Sequence, residues 1–424
     1  RTLATDVEVT LASAVGGRVD IDGVTCADGG TDLRPLVGAA DTVLLQGAVM
    51  ARNPWLRDTE VRLVVDLYDP FHLETLHLHH DDHLRSLDDL EGTLRTLGDQ
   101  ITRGDYFICA TERQRAMWIG HLAALGRVNP RTRAADPTLR ALIDVVPFGV
   151  PTTPPAPVGA GITTRFPRVG PGDPVLLWGG GIYDWFDPTA LVRAAIRASS
   201  LVEGLRLVFL AGPHPNPDVP EMATAAATRH LAAELDPDGT TVLFVDEWVP
   251  YDERQQLLLD ATVGVTTHRD SIETTFSFRT RVLDYLWAGL PVITTGGDEL
   301  SDRIAAAGAG RVVPPDDVEA LVAAIVALTD DRAGWTTASA AAAELGRGLQ
   351  WPEVAAPLRR YLRDGHHASD LTDPLTRRFV DEHRPPPAAG AAHLTRRVRR
   401  NLDAGGAART ASATLDHLRR RLSR

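Results

Sequence analysis

From about residue 171 to 330 the sequence alternates short apolar runs with amphipathic stretches, and no other feature constrains the fold as tightly. The runs VLLW (175–178), RLVFLA (206–211), TVLFV (241–245), TVGVTT (262–267), PVITT (291–295) and RVV (311–313) have the length and composition of strands. Helical stretches fall between them at 188–201, 220–234, 252–260, 278–288, 300–307 and 317–328. Strands that are apolar throughout are buried on both faces. The pattern therefore predicts an α/β fold, a doubly wound parallel sheet with helices on either side. Ligands bind such sheets beyond the carboxyl ends of the strands, so the post-strand loops are where a site is sought.

The first 150 residues repeat the pattern less regularly. Strands are expected at 7–12, 42–45, 61–66, 105–109 and 142–146, with helices within 73–100 and 111–125. RTLAT (1–5) reads as the end of a helix feeding a strand, so the N-terminal domain is expected to lack its first strand–helix unit. A chain of 424 residues exceeds one ordinary core. The expected division is an N-terminal Rossmann-like domain (1–149), a Pro- and Gly-rich linker (150–172), a second Rossmann-like domain (173–334), a helical segment (335–363) and a basic tail (364–424).

Charge narrows the partners. The formal net charge is −12, yet residues 371–424 hold twelve Arg against five acidic residues, so the body of the chain is strongly acidic. Such a body does not bind nucleic acid, whose phosphates require a positive field. No apolar run is long enough to span a bilayer and no secretory signal pattern opens the chain, which leads to the expectation of a cytoplasmic protein. The two cysteines, Cys26 and Cys109, lack metal-ligand spacing and form no disulfide framework. In the tail from 394 to 424, Leu394, Val398 and Leu402 form a stripe flanked by Arg. It is either a solvated tail or a peripheral contact with anionic lipid.

Two loops carry the candidate chemistry. Gly179, Gly180 and Gly181 follow the first strand of the second unit. They form either a plain tight turn or a place where backbone N–H groups approach an anionic or sugar group. In HRDSIETTFSFRTRVLDYLWAGLPVITT (268–295), Ser277 is the expected N-cap of a helix that ends at Gly289 and Pro291. Arg279 and Arg281 then stand in its first turn, where the macrodipole disfavours cations, and this points to a bound anion. Asp284 shares a face with Arg281 and suits a ribose, or else pairs with Arg281 as a surface ion pair. Trp248 follows the third strand and either stacks a nucleobase or packs on a helix. Asp66, Asp69 and His72 lie just past a strand end, as acceptor or sugar contacts or, for the acids, as helix caps. The histidine-rich stretch 72–84 has His79 and His83 four apart, but without further ligands it reads as a solvated helix rather than a metal site.

VLDYLWAGLPVITT (282–295) resembles the signature of retaining nucleotide-sugar glycosyltransferases of family 4, which have the GT-B fold of two Rossmann-like domains facing across a cleft. VVPFGVP (145–151) is similar to that family's crossover between domains, and DYFICATERQR (105–115) to the strand and helix start before it. The resemblance implies a nucleotide-diphosphate sugar donor in the C-terminal domain. The acceptor it leaves open: a glycan, a lipid-linked group or a small molecule. It also implies retention of configuration and no metal or other cofactor. Asp284 stands where the family carries its ribose-binding acid and Arg281 matches a basic residue three positions earlier. Eight residues before Asp284, where the family has another Glu, this chain has Phe276; the nearest acid is Glu273. The family's Arg and Lys after the first C-terminal strand give way to GGGIYDWFDP, in which Asp184 is a further donor candidate. Phosphate neutralisation is then expected from Arg279 and Arg281, with help from His268 or His214. A GT-B epimerase or hydrolase, and a non-catalytic partner protein, are the alternative functions.

Overall fold

The computed structural model describes residues 1–13, 20–30, 32–77, 83–212 and 222–385. Among the described residues twelve strands form three parallel sheets: β1 (Val9–Ser13) with β2 (Val24–Asp28); β3 (Thr42–Gln46), β4 (Arg62–Asp66), β5 (Tyr106–Cys109) and β6 (Ile143–Val145); and a six-stranded sheet. The last contains β7 (Val175–Trp178), β8 (Arg206–Leu210), β9 (Val242–Val245), β10 (Val263–Thr266), β11 (Val292–Thr295) and β12 (Gly310–Val313). Its order is β12-β11-β10-β7-β8-β9, so the winding direction reverses between β7 and β10. That reversal opens a crevice beyond the carboxyl ends of these two strands. All six expected C-terminal strands are present within a residue or two of the expected limits.

The reasons are local. Every residue of β7 is buried, as are those of β10 and β11, which fits strands covered on both faces. The helix Pro188–Ser199 begins with Pro at its first position and Asp187 as N-cap, whose carboxylate accepts from Ala190 N–H at 3.1 Å. It buries Leu191, Val192, Ala194, Ala195 and Ala198 against the sheet. Gly264 in β10 lets the helix Thr280–Trp287 pack close against the sheet, since a Cβ there would lie 2.2 Å from the Tyr285 ring. The Tyr285 hydroxyl can therefore accept from Gly179 N–H at 2.7 Å and donate to Val265 O at 3.0 Å, tying β7, β10 and the helix Thr280–Trp287 together.

The N-terminal region departs further from expectation. β2 was not expected, because VTCAD is bracketed by Asp22-Gly23 and Gly29-Gly30 and carries turn chemistry on both sides. The helix Pro130–Ala135 was also unforeseen; it rests on a capping box between Asn129 and Thr132. The expected basic tail from 364 needs correction. Helices Ser369–Thr372 and Pro374–Glu382 return to the N-terminal sheet. Arg127 Nε lies 2.7 Å from Asp370 Oδ2 with both side chains fully buried, and Ala368 N–H donates to Asp105 Oδ1 at 3.0 Å. Charge count alone concealed this, since its anchors are ion pairs with partners remote in sequence: Asp370 with Arg127, Asp373 with Arg131, Asp381 with Arg57 and Arg384 with Asp99. The stripe at 394–402 and the rest of the tail to 424 lie outside the described residues, as do His79 and His214. Among the described residues no helix is long and apolar enough to cross a membrane.

Candidate active site

A cleft of about 1030 Å³ runs beyond the carboxyl ends of the sheets. Gly179, Gly180, Gly181, Tyr183, Tyr251, Arg254, Arg281 and Asp284 line one wall; Leu44, Asp66, Tyr68, Ile108 and Phe148 line the other. A smaller cavity of about 140 Å³ adjoins it, bounded by Asp69 and Glu74 from the N-terminal region and by Tyr183, Trp185, His268, Glu273, Arg279 and Arg281 from the C-terminal domain.

Arg281 is the cation shared by both spaces. Its guanidinium lies 4.5 Å from the Trp178 ring centre and 4.3 Å from that of Phe186, and its Nη2 donates to Gly181 O at 2.7 Å. Nη1 is buried without a hydrogen-bond partner. Burial pulls its pKa down to about 10, so the cation persists at neutral pH. The helix Thr280–Trp287, in whose first turn it stands, has no side-chain cap and no acid there. Its first N–H groups and the Nη1 of Arg281 together suit an anion.

Arg279 behaves differently from expectation. It is buried, with Nε 2.8 Å from Asp298 Oδ2 in an ion pair whose side chains are 1% and 0% exposed. It also donates to the Thr294 hydroxyl and, at 2.8 Å, to Thr295 O. Its guanidinium is thus spent on the β11 end and the cap of helix Glu299–Ala307, and only its edge reaches the small cavity. Ser277 is not the N-cap of the 280–287 helix. Ser271 instead caps an additional short helix, Ile272–Phe276, and Ser277 closes it, donating to Thr274 O at 3.1 Å.

That extra helix carries Glu273 into the small cavity. The side chain is 1% exposed, Oε2 has no partner, and burial raises its pKa to about 7, with Arg279 opposing and Asp69 adding to the rise. Phe276 offers its carbonyl to Gln114 Nε2 at 2.7 Å, joining the two domains. His268 is buried against Phe186, with ring centres 4.5 Å apart, and burial holds its pKa well below the ordinary value. Its Nδ1 has no partner.

Asp284 lines the main cleft with its carboxylate 3.6 Å from Arg254, not paired with Arg281. Burial raises its pKa, and Arg254 opposes the rise. Arg254 in turn sits 4.6 Å from the Tyr251 ring centre. Three further sequence expectations need correction. Asp184 accepts from Thr224 N–H at 3.0 Å, because the helix Ala223–Leu235 begins at Met222, which has no acceptor to cap it. Trp248 is 52% exposed and is not among the residues lining the cleft; Tyr251, three residues on, lines it instead. His72 points into the N-terminal core, 5.3 Å from Trp118 and 5.0 Å from His121 between ring centres, and burial pulls its pKa down to about 4. Asp69 does line the small cavity. Glu74, Tyr251 and Arg254 were not found from sequence. Only the short turn at 70–74 and the helical turn at 251–254 bring them to the site, and neither has a strong periodic signal.

Residues 174–331 match the family model described as "Glycosyl transferases group 1". No curated protein matches the chain. Among solved structures, it resembles sucrose-phosphate synthase from Thermosynechococcus elongatus at 17% identity, over 76% of this chain and 73% of that one, with a TM-score of 0.54. It also resembles Anabaena HepE, solved in complex with UDP-glucose, at 14% identity over 78% and 82% of the chains with a TM-score of 0.56. A glycosyltransferase from Rickettsia africae aligns at 11% identity over 86% and 94%, with a TM-score of 0.58. At these identities the likeness is one of fold, and the fold is GT-B. The chain thus pairs the GT-B fold with a segment that matches this family model. Its second sheet, with the helices around it, is a group 1 glycosyl transferase domain.

Proposed function

We propose that the protein transfers a sugar from a nucleoside diphosphate sugar to an acceptor hydroxyl, with retention of anomeric configuration. The observation that carries the reading is a set of buried polar atoms left without partners around one cavity: Arg281 Nη1, His268 Nδ1 and Glu273 Oε2. Such atoms are costly unless a ligand satisfies them. The mixture of one cationic donor and neighbouring acceptors suits a diphosphate joined to a hydroxyl-bearing sugar. In this reading the diphosphate sits on Arg281 and the first N–H groups of helix 280–287. Developing charge on the leaving diphosphate is stabilised there by preorganised donors. The ribose lies by Asp284 and Arg254, the base by Tyr251, and the sugar in the small cavity facing Glu273, His268 and Asp69. HepE, with its bound UDP-glucose, supports a nucleotide-sugar ligand for this fold. The resemblance to family 4 is what supports retention.

Thermal unfolding with UDP, GDP, TDP and ADP tests the reading. A nucleotide at a hundred times its Kd adds about 2.7 kcal/mol of stability. One nucleotide should raise the Tm of the native chain and leave Arg281→Met unmoved. No shift with any of the four refutes the assignment. The anomer formed, followed by proton NMR, tests retention.

A further inference from the structure

We infer that Gln114 is a positioning residue for sugar transfer: its one carboxamide ties the two walls of the small cavity together, so that Asp69 and Glu273, borne by different domains, face the same bound sugar. This inference rests on the reading of that cavity as the sugar pocket.

Gln114 stands in the first turn of the helix Glu112–Ala124 of the N-terminal domain and is fully buried. Its Oε1 accepts from Ala110 N–H at 2.8 Å. Its Nε2 donates to Tyr68 O at 2.8 Å and to Phe276 O at 2.7 Å. Ala110 N–H can only donate and the two carbonyls can only accept, so the amide fits in one orientation alone. Both of its N–H bonds are thereby used, one on each domain. A carboxylate of the same size lacks the donors, and an apolar side chain would leave Ala110 N–H and both carbonyls without this partner.

The two carbonyls belong to the segments that bear the acids. Tyr68 directly precedes Asp69, and Phe276 is the last residue of the helix Ile272–Phe276 that carries Glu273. The last carbonyls of a helix have no partner within it, so Phe276 O can receive one from the other domain. Asp69 and Glu273 both border the small cavity, and Glu273 Oε2 is left without a partner there. Arg281, whose Nη1 is the unpartnered cationic donor of the same cavity, lies with Asp284, Arg254 and Tyr251 in the C-terminal domain. The groups assigned to the nucleotide thus sit on one domain, and Gln114 governs how the N-terminal wall meets the sugar.

A neighbouring link lies elsewhere. Arg113 donates through Nη1 to Gly297 O at 2.9 Å and pairs through Nη2 with Asp302 Oδ2 at 2.5 Å, and the two charged side chains are 37% and 61% exposed. Neither partner borders the small cavity. Arg113 therefore joins the domains at the rim, where water can replace its bonds. Gln114 joins them at the cavity, where its amide is closed to water.

Two measurements on the full chain test this. The first needs no donor. Spin labels are placed on exposed helical positions of the two domains, Ala134→Cys and Ala227→Cys, with Cys26→Ser to remove the exposed native thiol. With Gln114 present the labels should report one narrow interdomain distance, and with Gln114→Met a broader and longer one. Gln114→Asn, polar but one methylene too short to reach both carbonyls, should do the same and carries the test if Gln114→Met does not fold. A distance distribution that these variants leave unchanged overturns the inference. The second measurement follows release of nucleoside diphosphate from UDP-, GDP-, TDP- and ADP-glucose, with water as the acceptor. For whichever donor the native chain turns over, kcat should fall about a hundredfold in the Gln114 variants, the loss expected of a displacement of about 1 Å, while KM stays near its native value. Arg113→Ala should keep the native kcat. An equal fall in Arg113→Ala, or a Gln114 variant with native kcat, overturns the positioning role. Turnover of none of the four, with the distances changed as expected, counts against the donor reading and leaves the tie between the two walls established.

Discussion

Replacing Arg279 with Met should unfold the C-terminal domain at a much lower temperature without specifically abolishing nucleotide binding. Arg279 and Asp298 form an ion pair at 2.8 Å with side chains 1% and 0% exposed. Removing the cation leaves a buried carboxylate, and it leaves the Thr294 hydroxyl and the Thr295 carbonyl short of a donor. Asp298 cannot turn away to water, because its other oxygen accepts from Leu300 N–H at 2.9 Å and Ser301 N–H at 3.0 Å to cap the 299–307 helix. Breaking a buried pair on one side costs about 3–5 kcal/mol. For a domain of this size each kcal/mol moves the Tm by about 2–4 °C, so a fall of about 6–20 °C is expected.

Calorimetry on the native chain, Arg279→Met, Asp298→Asn and the double variant forms the assay. The double variant should be more stable than the sum of the single losses predicts, because it removes the stranded charge along with its partner. Below the lowered Tm, Arg279→Met should still bind the nucleotide that the native chain binds. A loss smaller than about 1 kcal/mol, or a stable Arg279→Met protein with no nucleotide affinity, would refute the structural role and restore Arg279 as a phosphate ligand.

Arg281→Met should give the reverse result: a loss of about 1–3 kcal/mol from its ring contacts and one charged hydrogen bond, with nucleotide binding abolished in titration calorimetry. Gly264→Ala should destabilise by at least about 1–3 kcal/mol in urea unfolding, since its Cβ would meet the Tyr285 ring at 2.2 Å. The displaced hydroxyl would also release Gly179, so nucleotide affinity should fall with stability. Glu273 titrates at about 7 in the native chain against an ordinary 4.5, so its burial lowers stability as pH rises from about 4.5 to 7. Glu273→Gln should flatten that slope. Donor binding, which uses the ionised acceptor, should strengthen through pH 7 in the native chain only.

The legible and illegible parts of this molecule divide by how local their causes are. β7, β10 and β11 were readable because each is a short run of residues buried on both faces, which leaves its mark within four or five positions. The place of Arg281 at the cleft was readable for the same reason: a cation in the first turn of a helix opposes a field generated by that helix alone. Arg279 obeyed the same local argument and has a different role. Its backbone, at φ −75° and ψ 79°, is the non-helical N-cap, and its partner Asp298 lies nineteen positions on, beyond an intervening strand.

Glu273 shows how a local cue can act at a distance. Counted along the chain it is three residues out of place for the acid that the resemblance leads one to expect, with Phe276 standing there instead. Ser271 accepts from Thr274 N–H and starts a helix of five residues, and that turn buries Glu273 in the cavity beside Arg281. It also leaves the Phe276 carbonyl to receive Gln114 from the other domain. The serine that mattered was therefore the one capping this short helix, six residues before Ser277. Spacing within a motif is a proxy for position in space only while the intervening backbone keeps its shape. Here a single capping hydroxyl changes that shape, and the acid arrives by another path.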